Sequence, residues 1–160
     1  MDPWPSLVPL LVATLAAGPA QGTGHLADQF KTLIAGKHFE PVASVGALPG
    51  GVKSELARLT GEPELRMADP GRPFQATDVV VTPNLPWRRL RFAGQAGELV
   101  VVHYEAGGFA HSYLLVVFRS SSRGTSAVWS GHTTGPIPDL ADLKDAKQYI
   151  VDVVSDPFRY

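Results

Sequence analysis

Cysteine is missing from the 160-residue chain. Its absence excludes disulfide bonds, thiolate zinc sites, a thiol nucleophile and a lipid anchor on cysteine. A domain of this length buries about two thirds of its unfolded surface, so it folds without such links.

Charge is also scarce. Asp, Glu, Lys and Arg make up 18% of the residues and the formal net charge is −1, whereas charged residues make up about 25% of a typical soluble domain. A chain without excess positive charge has no long-range field to attract nucleic acid, so we expect no nucleic acid among its partners. No motif in the chain predicts a cofactor.

An apolar run extends from Leu7 to Ala17, and small residues follow it up to Gly22. This layout is typical of a secretory signal peptide, and the run is shorter than the roughly 20 residues that span a bilayer. No Lys or Arg precedes the run, which leaves open an apolar N-terminal segment packed on the domain. We predict a signal peptide over residues 1–22, cleaved after Ala20 or Gly22, and export to the periplasm or the medium. We also predict that residues 23–160 form a single domain with no transmembrane segment.

Apolar spacing changes along this domain. A helical period predicts helices over His25–Ala35 and Val52–Leu59 and after Asp139, with Gly36 and Gly61 ending the first two. Between them, β-prone runs predict strands over Thr77–Val81, Arg88–Phe92, Glu98–Glu105, Ser112–Ser120 and Ser126–Gly131. We therefore predict an α+β fold, with an antiparallel meander sheet of four to five strands flanked by N- and C-terminal helices.

The two central strands are apolar on both faces, which indicates a sheet covered on both sides. Helices would cover one side, and the N-terminal segment, curvature or a partner would close the other.

Polar and aromatic side chains concentrate between His103 and Tyr113. A two-residue turn at Gly107 and Gly108 would place Tyr104 opposite His111, and a slip of one residue would place Glu105 there instead. In either register these side chains gather at one end of the sheet. They are candidate binding residues: His103, Tyr104, Glu105, His111 and Tyr113.

Three interpretations of this stretch stay open. In the first, His103, Glu105 and His111 form a metal site with two imidazoles and one carboxylate. In the second, Ser112 is a nucleophile with a histidine base, although the chain has no GxSxG nucleophile elbow. In the third, the side chains make ordinary cross-strand contacts, which we favour.

A basic cluster of Arg88, Arg89 and Arg91 follows Trp87. Arg88 and Arg89 are candidates to bind an anion or carboxylate, with Trp87 stacked beside it. The alternative is the solvated face of an edge strand, because charges protect edges from aggregation.

About a third of the chain resembles short, uncharacterised bacterial proteins predicted to be exported. The residues that carry the resemblance are Ala68–Gly71, Phe74, Thr77, Asp78, Leu85, Pro86, Arg88–Leu90, Ala93, Gly94 and His103–Tyr113. The resemblance implies export and brings no activity with it. Together these features predict a non-enzymatic exported protein that binds an envelope component or another protein. The alternative is a metal-dependent or hydrolytic enzyme using His103, Glu105 and His111.

Overall fold

The computed structural model describes residues 25–80 and 82–151, so the predicted signal peptide lies outside the described residues. In chain order, the elements are α1 (His25–Ile34), β1 (Glu40–Val42), α2 (Gly50–Leu59), β2 (Met67–Ala68), β3 (Arg88–Ala96), β4 (Leu99–Ala106), β5 (Ser112–Ser121), β6 (Gly124–Thr133), a 3₁₀ helix (Leu140–Gln148) and β7 (Ile150–Val151).

Within the described residues, seven strands form one curled sheet in the order β1-β3-β4-β5-β6-β7, and β2 also pairs with β3. All pairs are antiparallel except β2 with β3. The α+β class and the β3-to-β6 meander are therefore confirmed, but four to five strands was too few. β1, β2 and β7 have two or three residues each, which is too short for a period-two pattern to show.

The predicted strand over Thr77–Val81 is wrong for the residues described there. Only Thr77 pairs, through an isolated parallel bridge to Gly108. Val79 and Val80 are 63% and 57% exposed. β-branched side chains favour a strand when they pack on a sheet face, and these two side chains have no such face to cover.

Most of the observed helix ends lie close to those that the apolar spacing predicts. Gly36 and Gly61, which follow α1 and α2, have φ angles of 67° and 70°, a left-handed conformation that glycine adopts without strain. The last helix is a 3₁₀ helix, and the Asp139 carboxylate caps it by accepting from two backbone N–H groups. This helix ends at Gln148, and Ile150 belongs to β7.

Both faces of the sheet are covered by the chain itself. On one face, Val52 and Leu56 of α2 belong to a core with the side chains of Val100, Val102, Tyr104, Leu114, Val116 and Phe118. On the other, α1 and the 3₁₀ helix cover Leu99, Val101, Leu115, Val117 and Trp129. All eight residues of β4 are buried. The prediction of a doubly covered sheet is confirmed, and the second face is closed by α2 rather than by a partner.

Candidate functional site

The candidate residues of β4 point to opposite faces of the sheet. Tyr104 is 1% exposed and belongs to the core beneath α2. His103 and Glu105 alternate with it and face the other side. Tyr104, although grouped with His103 and Glu105 in the sequence analysis, is therefore separated from both by the sheet.

His103 is completely buried, and both of its ring nitrogens are occupied. The backbone N–H of Ile137 donates to Nε2 at 3.1 Å, so Nδ1 carries the proton and donates to the Leu114 carbonyl at 2.9 Å. Burial lowers the pKa of His103 to about 4. This histidine is a neutral structural residue with no nitrogen left to bind a metal or to accept a proton from Ser112.

Glu105, two residues further along β4, collects three donors although its side chain is only 2% exposed. Arg89 Nε donates to Oε1 at 2.8 Å, Arg91 Nη1 donates to the same oxygen at 3.3 Å, and His111 Nε2 donates to Oε2 at 3.0 Å. Burial raises the pKa of this carboxyl group, but the hydrogen bond and charge of Arg89 and the bonds from its neighbours outweigh burial and hold the pKa below its ordinary value. We call Glu105, Arg89, Arg91 and His111 the carboxylate network.

Aromatic rings surround the carboxylate network. The Arg89 guanidinium lies 4.4 Å from the centre of the Phe74 ring, within the range of a cation–π contact. His111 stacks on Tyr113 with ring centres 5.0 Å apart. The network joins β3, β4 and the loop after β4. The ring contacts of Phe74 and Tyr113 extend it to the segment before β3 and to the start of β5.

The two candidate arginines serve different contacts. Arg88 pairs with Glu62 at 2.8 Å, and both side chains are largely buried. Arg89 belongs to the carboxylate network. The edge-strand interpretation is wrong, because β3 pairs with β4 on one side and with β1 and β2 on the other. Both guanidinium groups are held by carboxylates of the same chain, which leaves the anion-binding interpretation without support.

The hairpin between β4 and β5 is longer than predicted. Ala106 pairs with Ser112 and Glu105 with Tyr113, so residues 107–111 form a five-residue loop. Glu105 still contacts His111, but His111 lies in the loop and is not the cross-strand partner of Glu105. Arg91 and Phe74 complete the site and were not selected from the sequence, although Arg91 stood in the basic cluster.

The described residues form neither the metal site nor the Ser112–histidine pair that the two enzymatic interpretations require. His103 is turned to backbone partners, whereas Glu105 and His111 bond to each other. Among residues 25–80 and 82–151, no group of three or more His, Cys, Asp or Glu side chains is placed to hold a metal ion. The Ser112 hydroxyl is buried and has no hydrogen-bond partner in the described part of the chain, so no base activates it.

The five-residue loop is fixed against the segment before β3. The Gly107 N–H donates to the Trp87 carbonyl at 2.8 Å, and the Gly108 N–H donates to the Ala76 carbonyl at 3.4 Å. A Cβ atom on Gly107 would lie 1.9 Å from the Gln75 carbonyl oxygen, so only glycine fits there. The loop is held at both ends, by Gly107 and by the His111–Glu105 bond.

Phe109, at the tip of this loop, is 97% exposed. The Thr77–Gly108 bridge sets it beside the segment that carries the exposed Val79 and Val80. We call Phe109, Val79 and Val80 the loop surface. Exposed apolar side chains on neighbouring segments are a feature of interaction sites.

Comparison of the chain with protein-family models, curated proteins and solved structures found no match. In the ranges that the structure describes, no helix combines the length and apolar character needed to cross a membrane.

Proposed function

We propose that this chain is a non-enzymatic binding protein that docks a partner protein through the loop surface. The observation that carries the proposal is Phe109, a large apolar side chain that is 97% exposed at the tip of a loop fixed at both ends. A loop that is already ordered loses little conformational entropy on binding, which favours affinity.

The chemistry of the surface defines the partner. An aromatic anchor flanked by Val79 and Val80 fits an apolar pocket on another protein. Arg91 lies on β3 and His111 at the end of the loop, and their side chains are 32% and 39% exposed. Within the described residues, only Nη1 of the Arg91 guanidinium is hydrogen-bonded. The pocket on the partner would therefore be apolar with polar acceptors at its rim.

Phe109→Ser tests the proposal, with Val128→Ser as the matched control. Val128 is also an exposed apolar residue but lies on β6. Each protein serves as bait in an extract of its native source, and the affinity of the captured partner is then measured. Burying a phenylalanine side chain contributes about 1.5–3 kcal/mol, so we expect Phe109→Ser to weaken binding by about 10- to 100-fold.

The control variant and the melting temperature distinguish a loss of binding from a loss of folding. Both variants should melt with the wild type, because neither side chain packs in a core. A partner held equally by wild type and Phe109→Ser would refute the proposal. Sedimentation of the purified protein tests whether the partner is a second copy of this chain. A concentration-dependent dimer that is lost in Phe109→Ser would show that the chain binds itself.

We also propose that the protein is exported to the periplasm or the medium. The apolar run from Leu7 to Ala17 and the small residues after it support this. The intact mass of the protein recovered outside the cytoplasm should correspond to cleavage after Ala20 or Gly22. Recovery of the whole chain from the cytoplasm alone would contradict export.

A further inference from the structure

A cavity of about 570 Å³ opens on the sheet face covered by α1 and the 3₁₀ helix. Its wall includes apolar side chains from both helices and from the segment between α1 and β1: Ile34, Phe39, Leu140 and Leu143. Small-molecule sites are usually concave, largely apolar and about 300–1,000 Å³ in volume. The size and lining of this cavity suit an organic ligand.

A glycine of β3 lets two of these side chains approach the sheet. A Cβ atom on Gly94 would lie 2.8 Å from the Leu140 methyl groups and 3.1 Å from the Phe39 Cβ. Leu140 and Phe39 therefore pack directly over the backbone of β3. These contacts hold one wall of the cavity against β3, so that this wall is formed before a ligand binds.

The polar lining is cationic. Lys31, Lys37 and Lys144 line the cavity together with His38, and no Asp or Glu is among its lining residues. Within the described residues, none of the three lysines forms an ion pair, whereas nearby Lys147 is bonded to Asp28 at 2.6 Å. Glu40 contacts the lining residue His38 at 3.3 Å but does not itself line the cavity. Among the described residues, the three ammonium groups therefore give the lining a positive charge beside its apolar wall.

A second cavity, of similar size, differs in the charge of its lining. That cavity, of about 580 Å³, is lined by Lys53 and Arg58 but also by Glu62 and Glu64. Its charges balance, and its lining has less apolar character. The two cavities are therefore similar in size but differ in charge and apolar character.

We propose that the cavity between α1 and the 3₁₀ helix binds a small amphipathic carboxylate of the fatty-acid type. The hydrocarbon chain would lie on Ile34, Phe39 and Leu140, and the carboxylate would lie among the lysines. Apolar burial supplies most of the affinity, and the lysines select an anionic head group. This inference does not depend on the proposed function, because Gly94 pairs with Val101, four residues from Glu105 along β4.

The test is calorimetric titration with dodecanoate below its micelle concentration, with acetate and dodecyltrimethylammonium as controls. Dodecanoate should bind at one site. Acetate lacks the hydrocarbon chain, and dodecyltrimethylammonium carries the opposite charge, so both should bind at least about tenfold more weakly. Equal binding of the cationic amphiphile would overturn the proposal, since it would show nonspecific apolar adsorption.

Substitutions then locate the site. Ala141→Trp fills the cavity from the exposed side of the 3₁₀ helix and should abolish binding, and Ala35→Trp does the same from the α1 side if Ala141→Trp fails to fold. The combined change of Lys31, Lys37 and Lys144 to Glu should weaken binding by about tenfold or more. Arg123→Glu, in the β5–β6 turn, is the charge control and should leave binding unchanged. Unaltered affinity in a folded Trp variant would place the ligand elsewhere and refute the inference.

Discussion

Replacing His103 by glutamine should reduce the acid sensitivity of this fold between pH 7 and pH 5. The imidazole is completely buried and neutral, with Nδ1–H donating to Leu114 and Nε2 accepting from Ile137. Protonation would put a second donor on Nε2, facing the Ile137 N–H. Burial is the largest cause of the lowered pKa. The charge of Arg91 lowers it further, and the Leu114 bond and Glu105 oppose the shift.

The magnitude follows from the difference between the two pKa values. The unfolded chain binds a proton at His103 near pH 6.5, whereas the folded chain does so near pH 4. The free energy of unfolding is therefore undiminished above pH 6.5 and falls as the pH drops towards 4. The shift amounts to about 3 kcal/mol in total, of which about 2 kcal/mol is lost between pH 7 and pH 5.

Urea denaturation at half-unit steps from pH 5 to pH 8 measures this loss. The pKa of His132 is also lowered by burial, but its contribution is common to the wild type and the variant and cancels in their difference. His103→Gln will be less stable at pH 7, so the comparison is between slopes against pH. His38→Gln is the control, since His38 is exposed. An unchanged slope in His103→Gln would refute the assignment of a neutral buried imidazole.

Three other substitutions test the fold around the site. Gly107→Ala should destabilise the domain by about 1–3 kcal/mol in urea titration, because the new Cβ meets the Gln75 carbonyl, whereas Gly135→Ala, with open space around its Cβ position, should not. Glu105→Gln should lower the free energy of unfolding by about 1–3 kcal/mol at pH 7. The difference should be smaller at lower pH, because the pKa of Glu105 is lowered in the folded protein and its stabilisation is lost as the carboxylate protonates. A constant difference down to pH 3 would contradict this. Leu114→Ala, at a fully buried position, should cost about 2–5 kcal/mol by the same assay, and a cost below 1 kcal/mol would count against the core beneath α2.

The central strands were predictable because their apolar pattern is local and strong. β4 and β5 each carry continuous β-branched and apolar residues bounded by glycine or polar residues, and their burial on both faces agrees with that pattern. The short strands β1, β2 and β7 depend on pairing with distant segments. A two-residue strand such as β2 exists because Met67 and Ala68 lie beside Arg88 and Arg89, which no local pattern encodes.

The site was predicted in part. The gathering of Glu105, His111 and Tyr113 follows from two strands that meet at a glycine-containing loop, and the structure brings these residues together. The role of His103 was not predictable, because its partner Ile137 is 34 residues away in sequence. The register was wrong because Gly107 does not form a two-residue turn. It accommodates the Gln75 carbonyl instead, and that contact also arises from a distant segment.

One extra residue in β3 explains how the carboxylate network and the buried histidine coexist on one sheet face. Leu90 pairs with Tyr104 and Phe92 with His103, so Arg91 is a bulge residue without a partner on β4. Before the bulge, Arg89 lies opposite Glu105. After it, Phe92 packs on His103 with ring centres 5.1 Å apart. A regular strand would turn residues 89 and 92 to opposite faces. The bulge thus lets both arginines reach one carboxylate oxygen while an aromatic ring still covers the imidazole, and so holds the base of the loop that carries Phe109.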